Sequence, residues 1–296
     1  MRVIVAEGLG YPEGPVFLPD ARVLVTDIRG GVVLAVGADG RVARHADTGG
    51  GPNGLARGPG GVVYCANNGG LNWVEGRATG PSPDYASGSV QSISPSGEVT
   101  VLHVESEAGQ LVAPNDIACD SAGGVWFTDS GRGLDGATDA FVLYIDPDLQ
   151  RVTVAADGYR FSNGLAFFEG ESELIVAESG TGELWVHPVL GPGKLGERRL
   201  FATMPRPHRP DGICIDVEGN VVVAGALGRG VIVYDDAGNQ LERFEFEHRL
   251  VTNVAFGGLD QSTLYVTESG LGRLWAIPWP RAGLTLPFLE SGEVRE

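Results

Sequence analysis

Cysteine is scarce in this sequence. Cys65, Cys119 and Cys214 make an odd count with no CxxC spacing, which argues against a disulfide framework and a thiolate metal site. Each lies in or beside an apolar run, so the sequence predicts buried, reduced thiols and a cytoplasmic setting. Long apolar stretches are missing too. Nothing approaches the roughly 18 residues that a spanning helix needs, and no membrane span is expected. The opening MRVIVAEGLG reaches Glu7 after a very short apolar run, too early for a secretory signal. Basic charge is in the minority, with 21 Lys and Arg against 38 Asp and Glu. The resulting net charge of −17 repels phosphate backbones and disfavours a nucleic-acid partner. No Gly-x-Ser-x-Gly elbow and no P-loop occurs, which disfavours a serine nucleophile and nucleotide chemistry. Apolar residues at i, i+3, i+4 and i+7 are hard to find, so helices contribute little.

What remains is rich in short elements. The chain has 296 residues, 43% of them hydrophobic, with 46 Gly and 18 Pro scattered along it. That pattern fits many strands joined by tight turns. Six segments repeat: Tyr11-Pro-Glu-Gly-Pro, Gly51-Pro-Asn-Gly-Leu-Ala, Ala113-Pro-Asn-Asp-Ile-Ala, Phe161-Ser-Asn-Gly-Leu-Ala, Arg209-Pro-Asp-Gly-Ile-Cys and Val251-Thr-Asn-Val-Ala. Their polar residues are Glu13, Asn53, Asn115, Asn163, Asp211 and Asn253, separated by 40, 62, 48, 48 and 42 residues. After each comes a turn and a strand-like run, closed by Asp27, Asn67, Asp129, Glu178, Gly225 and Glu268 at 14 or 15 residues' distance. A third run and a weaker fourth complete each unit.

Four strands every 40 to 50 residues is the propeller period. A single four-stranded sheet cannot bury both faces, so blades stack around an axis. The sequence therefore predicts an all-β, six-bladed β-propeller spanning 1–296 as one domain. Val3 to Ala6 is expected to join the last blade near Leu284 to Leu289 and close the circle. The longest interval holds a Gly-, Pro- and Ser-rich insertion at 72–88, a candidate cover for the binding face or a plain surface loop.

In a propeller the innermost strands line the channel, so six equivalent positions form a ring. Here that ring is all oxygen donors, two of them carboxylic acids. Buried without a partner they would cost on the order of several kcal/mol. A hard cation such as Ca²⁺ satisfies such a set, and Mg²⁺ or Mn²⁺ are chemically reasonable. No histidine lies in it, so a typical zinc set is not suggested. Any one Pro-Asn-Gly is an ordinary turn; recurrence at one register sets these apart.

Glu13-Gly14-Pro15, Ser162-Asn163-Gly164-Leu165 and Pro210-Asp211-Gly212-Ile213-Cys214-Ile215-Asp216 resemble the senescence-marker-protein (regucalcin)/gluconolactonase/luciferin-regenerating-enzyme family, and the resemblance extends over nearly the whole chain. It implies a six-bladed propeller with one catalytic divalent cation, Ca²⁺ foremost and Mg²⁺, Mn²⁺, Fe²⁺ or Zn²⁺ as alternatives. It implies metal ligation by Glu13, Asn163 and Asp211, with Asn115 binding metal, its water or substrate. It implies lactone hydrolysis, sugar-acid lactones such as gluconolactone being the typical substrates, and relatives acting on aryl esters or organophosphates. Sugar-lactone members often carry an arginine two residues before the third-blade Asn; Ala113 stands there.

In the expected chemistry the cation is a Lewis acid, Asp211 is general base, water-steering group or nucleophile, and Asn115 orients the substrate. Asn53, Asp129 and His208 are further candidates for substrate contact; of the acids and amides that close the second strands, Asp129 is the one expected to face the channel mouth and not merely to cap its strand, whereas a solvated loop histidine is the plainer reading of His208. Rival readings are a non-catalytic binding propeller, a metal-free propeller enzyme resembling strictosidine synthase, and an esterase or phosphotriesterase on the same metal. The expected partner is a small lactone or ester, with the protein a monomer or weak homodimer.

Overall fold

The computed structural model describes residues 1–131, 133 and 138–289. Among them there is no α-helix, only three short 3-10 turns between strands. No helix is therefore long and apolar enough to cross a membrane.

Six antiparallel blades follow the predicted order. The first is Pro12–Phe17, Val23–Asp27, Val32–Val36 and Val42–Asp47. The second is Pro52–Arg57, Val63–Asn67, Ser89–Ile93 and Val99–His103. The third is Pro114–Cys119, Val125–Asp129, Ala140–Ile145 and Val152–Tyr159. The fourth is Ser162–Phe167, Glu173–Glu178, Glu183–Gly191 and Arg199–Thr203, with a small extra strand. The fifth is Arg209–Ile215, Val221–Ala226, Gly230–Tyr234 and Gln240–Glu245. The sixth takes Asn253–Gly257, Thr263–Glu268 and Arg273–Pro278 from the chain's far end. Its outer strand is Val3–Ala6, paired antiparallel with Arg273–Pro278.

Ring closure is thus made directly with Arg273–Pro278, and not near Leu284 to Leu289 as the sequence suggested. The latter stretch forms no strand. It instead runs beneath the channel: Leu284 N donates to Ile215 O at 2.9 Å, and Gly283 bridges Asp216.

Stacking explains the strength of the second strands. They read as continuous apolar runs because both of their faces are covered; in Val221–Ala224 every residue is buried. Six hydrophobic clusters result, one at each blade-to-blade seam. Leu24 and Cys65 share the seam of blades one and two, Leu143 and Ala66 the next, and Tyr159 and Leu165 the third. Ile175 and Ile232, Val231 and Leu264, and Phe17 and Leu274 complete the circle. Truncating a fully buried member such as Leu174 to alanine would cost about 2–5 kcal/mol.

Candidate metal centre

Each inner strand begins at the ring and runs to the opposite end of the channel. In five blades it carries a bulge at the ring residue, with register breaks at Glu13/Val16, Pro52/Leu55, Pro114/Ile117, Ser162/Leu165 and Pro210/Ile213. An extra residue there re-aims the side chain away from the ordinary alternation. The sixth blade pairs Asn253 in regular register.

Adjacent inner strands also approach too closely for a side chain after the ring residue. A Cβ on Gly14 would lie 2.3 Å from Asn53 O, on Gly54 2.6 Å from Asp116 Oδ1, and on Gly164 2.1 Å from Asp211 O. These contacts bring the six polar positions of the sequence repeat to one end of the channel. Glu13, Asn53, Asn163 and Asn253 are buried, whereas Asn115 and Asp211 are partly open.

The ring holds more acceptor oxygen than its donors satisfy. Asp116, next to Asn115, adds a third carboxylate, itself buried, that the sequence reading passed over. Burial raises the Asp211 carboxyl well above the usual range, and Glu13 and Asp116 raise it further. Burial likewise raises Glu13 and takes Asp116 to about 7, with Glu13 contributing to the latter. Asn53 Oδ1 is buried with no hydrogen-bond partner. Three mutually repelling carboxylates beside an orphaned amide oxygen fit a hard divalent cation. No cluster of three or more His, Cys, Asp or Glu poised for a metal is found among the described residues. A cation held here would therefore need amide oxygens beside the carboxylates.

A serine sets each of three ring positions. Asn163 Nδ2 donates to Ser179 Oγ at 3.1 Å, and Ser179 Oγ donates to Pro210 O, one residue before Asp211, at 2.5 Å. Asn115 Nδ2 donates to Ser130 Oγ at 2.9 Å, which donates to Ser162 O, before Asn163, at 2.7 Å. Ser269 Oγ donates to Pro12 O, before Glu13, at 2.5 Å. The signal was present in Thr128-Asp129-Ser130, Ala177-Glu178-Ser179 and Thr267-Glu268-Ser269. The acids were noticed as strand ends and the serines behind them were not.

Those acids are caps. Asp129, a candidate for substrate contact, accepts from Val112 N, Ala113 N and Gly131 N at 2.8, 2.7 and 3.1 Å, so its oxygens are engaged by backbone. Asp27 holds Gly10 N and Tyr11 N in the same way. His208, read as a loop histidine, is only 3% exposed. Its Nδ1 lies 2.8 Å from Pro205 O, and its ring fills the space where side chains on Gly225 and Gly228 would stand.

The insertion at 72–88 reaches the mouth. Its hairpin, Leu71–Val74 with Arg77–Pro81, sets Trp73 against Tyr11 with ring centroids 5.1 Å apart and the rings tilted by 49°. Tyr85 Oη donates to Val112 O at 2.7 Å. Its two aromatics therefore touch the loops leading to Glu13 and to Asn115.

A six-bladed propeller with an oxygen-donor ring at one end of its channel is the class that fold and site define. The chain belongs to the SMP-30/Gluconolactonase/LRE-like family, whose region matches residues 11–270. The curated relatives include a pentonolactonase of Haloferax volcanii, 30% identical over 53% of this chain and 53% of that protein. Another is a diisopropyl-fluorophosphatase of Loligo vulgaris, 26% identical over 60% of this chain and 61% of that protein. The matched portions thus span about half to three fifths of these relatives. Among solved structures, a gluconolactonase of Xanthomonas campestris superposes with TM-score 0.79 at 25% identity, covering 94% of this chain and 89% of that one.

Proposed function

We propose that this protein is a metal-dependent hydrolase that opens a small lactone at the ring. The observation that carries the reading is the crowding of Glu13, Asp116 and Asp211 beside the unpartnered Asn53 oxygen, with Asp211 and Asn115 facing the open side. Glu13, Asn163 and Asp211 would hold a divalent cation, Ca²⁺ by the hardness of the donors, with Asn115 alongside. When bound, the cation supplies Lewis acidity toward a lactone carbonyl.

The chain's own groups do the rest. Asp211 steers the attacking water and takes its proton, while Asn115 orients the substrate, its amide held by Ser130. The ring C–O bond breaks, the proton passes to the departing alkoxide, and a hydroxy acid leaves.

Sugar-acid lactones such as gluconolactone are the first class to test. Ala113, Tyr11 and Trp73 give the mouth an apolar side, which suits less hydroxylated lactones as well. The fluorophosphatase relative supports a second reading, an arylester or phosphotriester hydrolase on the same ring. The three free cysteines suit a reducing, cytoplasmic setting. The test is turnover of sugar and apolar lactones by chelator-stripped protein with each cation restored in turn, beside Asp211→Ala. Metal-dependent lactone opening lost in that variant is expected. Full activity after exhaustive chelation would overturn the reading.

A further inference from the structure

A second site is built into the other half of the channel. A cavity of about 580 Å³ runs from Asp116 and Asn253 at the ring to Leu284 to Pro287 at the far end. Small residues hold it open: Ala118, Ala166 and Cys214 each stand three positions along an inner strand from a ring residue. Its volume is that of a small-molecule pocket.

One lining residue is out of place. Four positions after the ring residue, the six inner strands carry Phe17, Arg57, Cys119, Phe167, Ile215 and Gly257. Arg57 alone is charged, and it is only 7% exposed. Its Nη1 donates to Phe17 O at 2.8 Å, but Nε has no hydrogen-bond partner. Burial lowers the guanidinium to about 10, and no carboxylate offsets it. Glu171, at the rim of the cavity, is engaged elsewhere, accepting from Ser121 N and Oγ at 2.8 and 2.7 Å. In a chain with 38 acids, a buried arginine without a carboxylate partner is costly unless something anionic meets it.

We propose that the lower channel binds an amphipathic organic anion, its carboxylate on Arg57 and its apolar body along Ala118, Ala166 and Cys214. The guanidinium supplies directed, charge-assisted hydrogen bonds, and the walls supply apolar burial. A single carboxylate on a chain-like body fits best, because Arg57 is the one basic residue of the lining and Asp116, Glu169 and Glu171 elsewhere along it disfavour a second anionic group.

Titration calorimetry of the metal-loaded protein with sodium octanoate tests this, with octanol as the uncharged comparator. Saturable binding of one octanoate in the millimolar range or tighter is expected. Octanol and the Arg57→Met variant should each bind about 10-fold or more weaker, as loss of a charged hydrogen bond implies. Ala166→Phe fills the cavity without touching the guanidinium and should abolish binding, which keeps the test open where Arg57→Met fails to fold. Asp211→Ala should retain binding, since it alters only the ring. Absence of saturable binding, equal binding of octanol, persistence in folded Arg57→Met or in Ala166→Phe, or loss in Asp211→Ala would each overturn the proposal.

Discussion

Ser179 stands between Asn163 and Pro210, accepting from the one's amide at 3.1 Å and donating to the other's carbonyl at 2.5 Å. One hydroxyl therefore ties the ring residue of the fourth blade to the backbone that delivers Asp211 from the fifth. Ser179→Ala keeps the volume but removes both bonds. Metal affinity and kcat/KM for lactone opening should fall by about 10- to 100-fold, as for other residues that orient ligands. Calcium titration and steady-state kinetics check this; unchanged affinity would reduce the serine to packing.

Crowded carboxylates imply opposite stability orders with and without cation. In chelator-treated protein, Glu13→Gln should raise Tm, because it relieves the repulsion that Glu13 exerts on Asp211 and Asp116. In calcium-loaded protein the order should reverse, since the wild type gains binding free energy that the variant loses. Paired thermal melts read this directly.

Gly164 has no room for a methyl group, its Cβ position lying 2.1 Å from Asp211 O. Gly164→Ala must push the fourth and fifth inner strands apart. A loss of about 1–3 kcal/mol from overpacking is expected, together with loss of metal binding. Denaturant melts and metal titration separate the two effects.

Trp73 packs on Tyr11, two residues from Glu13, and on the proposed function the blade-two hairpin would add to substrate binding without touching the reacting groups. Trp73→Ala should raise KM several-fold with kcat nearly unchanged, the signature of lost uniform binding. A fall in kcat at constant KM would instead put the hairpin in the catalytic step.

Asp216 gives the molecule an acid limit. Burial pushes its carboxyl up, but hydrogen bonds from Arg281, Asn220 and Trp279 outweigh this and hold it below the usual range. A depressed folded value means the unfolded chain binds the proton more readily. The stabilisation is therefore complete above the unfolded value, about 3.9, and disappears as pH falls below it. Asp216→Asn should cost about 1–3 kcal/mol at neutral pH and flatten the stability curve on the acid side, as read by denaturant melts from pH 7 downward.

The repeat made the propeller legible. Strand-to-strand intervals constant to within one residue can be read from sequence because each blade solves the same packing problem. The ring was legible for the same reason, as identical positions of identical units converge on the axis. Asp116 was not, because it occupies the place of a glycine in four other blades and reads as part of an Asn-Asp turn. Ser130, Ser179 and Ser269 act across blade boundaries, and no periodicity within a unit reveals a partner in the next. His208 looked solvated because Pro207 and Arg209 flank it; the space left by Gly225 and Gly228 lies some 20 residues downstream. Arg57 was invisible for the opposite reason, since an arginine before a turn is usually on the surface.

The sixth blade is assembled from both ends of the chain, with Val3–Ala6 laid against Arg273–Pro278. During synthesis Val3–Ala6 must wait for its partner until Arg273–Pro278 has been made. Blades can form one by one as they emerge, but the circle latches late and all at once. A cut between Ala6 and Pro12 would therefore act like an opened clasp, exposing the edge of Arg273–Pro278 while leaving every other blade's own strand pairing in place.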